Sequence, residues 1–159
     1  MLVRGFMTTD ILAVAPSDTL QEAALKLLTR GVSGAPVVDD QGVLVGILSE
    51  TDFLRHLKRL ADTDLAGKYL SSPAQSLSLL ALLAERGHPA ARELMDTLRG
   101  AMVSDAMTTK VITANPGDTL EEVLGLLIRS DINRVPVIEG GKVVGIVTRG
   151  DVLRVIAKP

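Results

Sequence analysis

The sequence has no cysteine and no tryptophan, and only one tyrosine and two phenylalanines in 159 residues. Without thiols there are no disulfides and no thiolate chemistry, which fits a reducing compartment. Aromatics are 2% of the chain, so a core must come from Leu, Val, Ile and Ala, and hydrophobic residues at 47% supply it. The same shortage removes the stacking platforms that single-stranded nucleic acid needs. An excess of positive charge is also missing. Formal net charge is -2 with a pI near 5.7, and no basic block stands out, so electrostatics favour neither nucleic acid nor an anionic membrane surface. The two histidines, His56 and His88, have no ligand spacing around them, which argues against a histidine-built metal site. The longest apolar stretch, Leu77 to Ala84 with Ser78 inside, falls far short of the roughly 20 residues that span a bilayer. Arg4, Asp10 and the Thr pair interrupt the N-terminal region, so it does not read as a signal core. A soluble, cytoplasmic protein is expected.

What the chain does have is one pattern written twice, the feature to be sought before any other. Met7-Thr8-Thr9 returns as Met107-Thr108-Thr109, an offset of 100 residues. At that offset Pro16, Asp18, Thr19, Leu20 and Glu22 return as Pro116, Asp118, Thr119, Leu120 and Glu122, and Pro36-Val37 returns as Pro136-Val137. Further on the offset falls by one: Gly46-Ile47 matches Gly145-Ile146, and Asp52 matches Asp151. The change lies between Asp39-Asp40-Gln41-Gly42 and Glu139-Gly140-Gly141, a turn, where length changes are best tolerated. An ordered series of this kind is a duplication. A half of about sixty residues is near the lower limit for burying its own core. Two copies packed face to face relieve that limit, which implies a pseudo-two-fold axis and two equivalent clefts. The expected organisation is repeat 1 over 1–59, an unrepeated segment over 60–102 and repeat 2 over 103–159.

Each copy reads as strand, helix, strand, strand, helix, a mixed α/β (α+β) architecture packed sheet to sheet. Ile11 to Val14 and Val111 to Ala114 are short apolar runs that predict strands. Asp18 with Gln21, and Asp118 with Glu121, predict helix N-caps. Leu20, Ala24, Leu27 and Leu28 share a helical face, as do Leu120, Leu124, Leu127 and Ile128. Ala35 to Val38 and Val43 to Leu48 predict a hairpin, and so do Val135 to Ile138 and Val143 to Val147. A last helix begins at Ser49 or Thr148 and carries Phe53, Leu54 and Leu57, or Val152, Leu153 and Ile156, as its apolar face. Within the unrepeated segment, Ser72-Pro73-Ala74-Gln75 predicts a helix start and Leu77, Leu80, Leu83 and Ala84 its course. Gly87-His88-Pro89 breaks that helix, and a second runs from Ala90 to Leu98. Such a helical insertion is too apolar for a loose tether. A cover for a cleft, part of a dimer interface and extra core are the readings open for it.

Candidate chemistry gathers at Ser49-Glu50-Thr51-Asp52 and Thr148-Arg149-Gly150-Asp151, each joining a strand to a helix. The structural reading is a capping box, in which the hydroxyl caps the helix and the carboxylate turns back to the cap residue's N–H. The functional reading uses the same geometry. A helix N-terminus offers unpaired N–H groups to an anion, and an ionised Asp accepts the two hydrogen bonds of vicinal hydroxyls on a ribose. Both readings can hold together. An enzyme is disfavoured, because nucleophilic catalysis wants a Cys or Ser oriented by a base, and both histidines stand outside the repeated motifs. The two Asp sit at equivalent places in two repeats, which suits two ligand sites better than one catalytic centre.

The order Met-Thr, Pro-x-Asp-Thr-Leu, x-Pro-Val and Gly-Ile-h-[ST]-x-x-Asp, present twice, resembles the CBS-domain family over nearly all of the chain except the insertion. The resemblance implies a free-standing pair of CBS repeats, a regulatory module with no catalysis and no required cofactor. Its ligand would be an adenosine-containing nucleotide: AMP, ADP, ATP or S-adenosylmethionine. It also implies frequent homodimers. On that resemblance Asp52 and Asp151 bind ribose, with Ser49, Thr51, Thr148 and Arg149 beside them. Adenine would be met by Val14, Ala15 and Pro16 or Thr113, Asn115 and Pro116. It would also be met by the segments before and within x-Pro-Val: Val32, Ser33, Gly34, Ala35 and Pro36, or Ile132, Asn133, Arg134, Val135 and Pro136. The Asp and the adenine segments are expected from opposite repeats, Asp151 with Val32-Ser33 and Asp52 with Ile132-Asn133. Arg134 is the phosphate candidate. Its counterpart is Gly34, so the two sites are expected to differ in affinity. A purely structural interaction module that dimerises or docks on a protein target is the alternative.

Overall fold

The structure, a computed structural model, describes residues 1–60 and 73–158, with 60 and 73–77 described by backbone alone. The first helix of each repeat, α1 (Leu20–Arg30), starts one residue later than the sequence suggests. Thr19 is the N-cap: its Oγ1 accepts from Glu22 N at 3.1 Å while Glu22 Oε2 accepts from Thr19 N at 2.8 Å. Thr119 and Glu122 form the same reciprocal box in repeat 2. Asp18 does not cap because its carboxylate is engaged one turn earlier, accepting from Ala15 N at 3.1 Å and pairing with Lys26 at 2.7 Å. Asp118 likewise accepts from Asn115 N at 2.7 Å. Burial pushes the Asp18 carboxyl up, but the Lys26 and Ala15 hydrogen bonds and the Lys26 charge outweigh it and hold the group below its ordinary value.

Prolines shorten the expected first strands. Val14 makes only a single parallel bridge, to Val37, and Ala114 only one, to Val137. The amide that would make the next bond to the same partner lies two residues on, at Pro16 and Pro116, which have no N–H, so no ladder continues. The hairpins form as expected. Strands β1 (Gly34–Val38) and β2 (Leu44–Ser49) pair in one two-stranded sheet. After them comes α2 (Glu50–Leu60), which buries Phe53, Leu54 and Leu57.

The insertion continues with α3 (Pro73–Glu85), α4 (Pro89–Thr97) and a 3-10 turn at Leu98–Gly100, and repeat 2 opens with the short α5 (Val103–Ala106). Ser72, the expected start of α3, lies outside the described residues. Repeat 2 then gives α6 (Leu120–Arg129), β3 (Arg134–Glu139), β4 (Lys142–Thr148) and α7 (Arg149–Ile156), with β3 and β4 antiparallel.

Two compact units result, and they exchange the leading segments of the repeats. One holds Leu12–Val37 and Val45–Thr109; the other holds Met1–Ile11, Val38–Leu44 and Lys110–Pro159. In the first, which contains Asp52, Ala101 O accepts from Leu20 N and Thr108 bridges Ile47 through two backbone bonds of 2.9 Å. In the second, which contains Asp151, Met1 O accepts from Leu120 N and Thr8 bridges Ile146 in the same way. Met107 packs on Gly46, where a Cβ would stand 2.7 Å from its Sδ and 3.1 Å from Thr108 O; Met7 packs equally closely on Gly145. The repeated Met and the repeated Gly are thus two halves of one contact.

The core of the Asp52 unit joins Leu20, Leu27, Leu48, Phe53 and Leu57 to Leu80, Leu94 and Leu98 of the insertion. The insertion therefore serves as extra core for this unit. The Asp151 unit centres on Val3, Val123, Leu127, Val135, Val147 and Val152. Three residues expected on its buried helix faces lie outside: Ile128 is 66% exposed, Leu153 65% and Ile156 59%. Val123, in register with Ala23, takes the inward position on α6.

Gly46→Ala is expected to destabilise the protein by roughly 1–3 kcal/mol through overpacking. Met107→Ala in the same chain relieves most of that cost, a coupling that a double-mutant cycle in urea reads directly. For Asp18, whose pKa is lowered on folding, the stabilisation is present above its unfolded value and lost as pH falls through the folded one. Acid titrations should therefore show a smaller drop in stability below about pH 4 in Asp18→Asn than in the parent chain.

Candidate functional site

Strand β2 ends at Ser49 and β4 at Thr148, and at each end the chain turns straight into a helix. Asp52 lies three residues on, and its Oδ2 accepts from Ser49 N at 2.8 Å and from Ser49 Oγ at 3.1 Å. Its Oδ1 accepts from Arg55 Nη1 at 3.1 Å and from Thr108 Oγ1 at 2.8 Å. Asp151 repeats the arrangement. Oδ2 accepts from Thr148 N and Thr148 Oγ1, both at 2.7 Å, and Oδ1 from Arg154 and, at 3.5 Å, from Thr8 Oγ1. Asp151 N in turn donates to Thr148 Oγ1, completing the capping box. The two carboxylates are only 3% and 5% exposed. A buried carboxylate needs donors on its lone pairs and a positive partner, and each has both.

The other candidate residues collect around the same turns, repeat by repeat. Glu50 N donates to Ser33 O at 3.0 Å and Val14 N to Pro36 O at 3.1 Å, so Val14–Pro16, Val32–Pro36 and Ser49–Asp52 share the Asp52 unit. Val14, Gly34, Ala35 and Pro36 are buried there, Ala15, Pro16, Ser33 and Ser49 are half-buried, and Val32 and Thr51 are exposed. Arg149 N donates to Asn133 O at 3.1 Å and Ala114 N to Pro136 O at 3.0 Å, which gathers Thr113–Pro116, Ile132–Pro136 and Thr148–Asp151 in the Asp151 unit. Thr113, Asn115 and Asn133 are exposed, Ile132, Arg134 and Thr148 half-buried, and Pro116, Val135 and Pro136 buried. The Arg149 side chain is tied to the end of α6, donating to Ile132 O, Leu127 O and Asp131 Oδ1. Asp131 takes a left-handed φ of 49° at that end. Among the described residues no group of three or more His, Cys, Asp or Glu is placed to hold a metal ion.

Sequence reasoning missed four residues that touch these carboxylates. Thr8 and Thr108 were visible as the Met-Thr-Thr repeat, but nothing in the spacing said that each would dock beside the aspartate of the other repeat. Arg55 and Arg154 follow their Asp by three residues in both copies, a recurrence that marks an i,i+3 ion pair on a helix.

The comparisons with known proteins agree with this geometry. An uncharacterised protein of Methanocaldococcus jannaschii is 32% identical, over 98% of this chain and 91% of the relative. The CBS domain of a CBS domain-containing membrane protein from Sphaerobacter thermophilus superposes with a TM-score of 0.74 and 34% identity, over 97% of this chain and 86% of that one. CBSX2 of Arabidopsis thaliana, solved in complex with AMP, gives a TM-score of 0.66 and 28% identity, over 98% and 95% of the two chains. The CBS domain pattern itself matches twice, over residues 3–59 and 103–158, and with a strand-to-helix Asp turn at the same place in both matches, this chain belongs to the CBS-domain family as a tandem pair.

Proposed function

We propose that the chain is a regulatory module, not an enzyme, that senses an adenosine-containing nucleotide: AMP, ADP, ATP or S-adenosylmethionine. The division into repeats 1–59 and 103–159 around an insertion at 60–102 is part of this reading. The observation that carries it is the duplicated aspartate, held at a helix N-terminus beside a Ser or Thr hydroxyl. That arrangement accepts the hydroxyls of a ribose and leaves adenine to backbone and apolar groups of the Val14–Pro16 and Val32–Pro36 segments and their counterparts. CBSX2, which shares the fold and 28% of the sequence, was solved with AMP. Arg134, half-buried two residues before Pro136, supplies positive charge for a phosphate, and Gly34 at the matching place supplies none.

A ligand-independent interaction module remains the second reading, and one observation favours an interface. Leu153 and Ile156 lie one turn apart on α7 and are exposed, although their counterparts Leu54 and Leu57 are buried, Leu57 in the core that the insertion joins. Burying such a side chain fully is worth about 1.5–3 kcal/mol. A second copy of the chain, the homodimer expected from the family, fits this face. A protein target would be its other occupant. No described helix is long and apolar enough to cross a membrane.

Thermal shifts with AMP, ADP, ATP, NAD and S-adenosylmethionine test the reading, each variant being compared with its own ligand-free midpoint. Ligand at about a hundredfold its dissociation constant adds roughly 2.7 kcal/mol, about 5–11 °C at 2–4 °C per kcal/mol. The shift is expected to fall in Asp52→Asn and in Asp151→Asn and to vanish in the double variant; no shift in the parent chain leaves the interaction module. Arg134→Gln is expected to weaken AMP about tenfold and leave adenosine unchanged, as calorimetry would read. Leu153→Glu with Ile156→Glu is expected to give monomers in light scattering while the nucleotide shift persists.

A further inference from the structure

We infer that Thr8 and Thr108 are built-in competitors for the sites at Asp151 and Asp52, each occupying with its own hydroxyl the place a ligand hydroxyl must take. The inference rests on the nucleotide reading above and goes beyond it by naming the residues that set affinity and rank the two sites. A carboxylate offers about four lone-pair positions. On Asp52 all four are used, two by Ser49 and one each by Arg55 and Thr108. The group is 3% exposed, so an incoming hydroxyl displaces a protein donor rather than water. Displacing Ser49 undoes the helix cap. Displacing Arg55 removes the positive partner of a buried charge, the costlier loss. Displacing Thr108 exchanges one O–H donor for another and leaves the cap and the ion pair intact. Thr108 is therefore the group that leaves.

The exchange has a consequence beyond the site. Thr108 belongs to the leading segment of repeat 2, which the Asp52 unit holds by the Thr108–Ile47 backbone pair, the Met107–Gly46 contact and this hydroxyl. A ligand that takes the hydroxyl's place removes one of the three attachments at Met107-Thr108, so occupancy loosens that end of the leader, while the backbone bonds of Ala101, Val103 and Ser104 to Leu20, Asp18 and Pro16 still hold its start. Thr8 stands in the same relation to Asp151, Ile146 and Gly145. The two competitors differ in strength. Thr108 Oγ1 is 2.8 Å from its carboxylate and Thr8 Oγ1 3.5 Å from its own, and the longer separation is at the edge of a hydrogen bond. The Asp151 site is thus lightly blocked and the Asp52 site strongly, so Asp151 fills first.

Calorimetry with AMP tests this one site at a time: the Asp151→Asn background reports Asp52, and the Asp52→Asn background reports Asp151. In the first, Thr108→Val is expected to tighten binding about tenfold, the worth of a hydrogen bond to a charged group, and Thr108→Ser to restore the parent value. In the second, Thr8→Val changes affinity by less than about threefold, in keeping with a marginal hydrogen bond. Backbone hydrogen exchange on the parent chain supplies the second readout: saturating AMP speeds exchange at the Thr108 amide. Affinity unchanged or weakened by Thr108→Val, with AMP still bound by the parent, overturns the inference and leaves nucleotide sensing standing. Slower or unchanged exchange at Thr108 overturns the coupling to the leader. AMP binding by the Val variant alone supports the inference in its strongest form. No AMP binding by any variant overturns both the inference and the nucleotide reading.

Discussion

The rest of the structure depends on the docking of each repeat's leading segment along the last strand of the other repeat. One backbone bridge, one methionine on a glycine and one threonine on an aspartate make that contact, and they make it twice. A CBS-sized repeat of about sixty residues is marginal on its own. Exchanging leaders gives each repeat an extra edge for its two-stranded hairpin and a cover for the entrance of its first helix, where Ala101 O and Met1 O accept the first amides of α1 and α6. Gly46 and Gly145 are needed because the methionine sulfur leaves no room for a Cβ. The Met-Thr part of each copy and the Gly-Ile part of the other recur together for that reason.

Much of this was legible in the sequence. The duplication, both hairpins, the strand-to-helix aspartates and the two insertion helices follow from spacing and period alone. Misreadings have local causes. Asp18 looked like an N-cap because Asp is a good one, yet its carboxylate was already committed to Ala15 and Lys26, and Thr19 took the role. The runs ending at Val14 and Ala114 read as strands because they are apolar, but two residues on, where the next ladder amide is due, stand Pro16 and Pro116, which have no N–H. Exposure of Ile128, Leu153 and Ile156 was out of reach, since an amphipathic pattern reports that a face is apolar and not what covers it. The role of Thr8 and Thr108 needed the exchange of leaders, which no local pattern encodes.

Duplicated sequence has not produced duplicated surroundings. Leu57 is buried in a core that α3 and α4 extend, and Leu54 is buried beside it in sequence, whereas Leu153 and Ile156, in the same helix of repeat 2, have no such cover among the described residues. Phe53 is matched by the smaller Val152, so the second core is lighter as well as less covered. The insertion therefore stabilises one unit, and the matching helix of the other keeps its pair of large apolar side chains exposed. A closed two-fold pairing through that face would bury in trans what the insertion buries in cis.

The aspartates show why structural and functional readings of the same motif need not compete. As caps, Asp52 and Asp151 require every lone pair satisfied, because each is nearly sealed from solvent. As ligand groups, they require one donor that can be given up cheaply. A threonine hydroxyl on a segment that backbone bonds and a methionine contact also hold meets both demands. Both carboxylates are hydrogen-bonded without ligand, and under the proposed nucleotide reading the exchange for a ribose hydroxyl would cost little beyond the displaced bond. A ligand shifts an equilibrium only by its difference in affinity for the two states. Here the two states differ by which hydroxyl sits on Oδ1, so the bond that limits affinity is also the one that carries the signal. Under the same proposal, strengthening that bond, as at Thr108 relative to Thr8, would weaken binding at its site. A tandem repeat with one tight and one loose copy can thus combine a site that fills early with one that reports late.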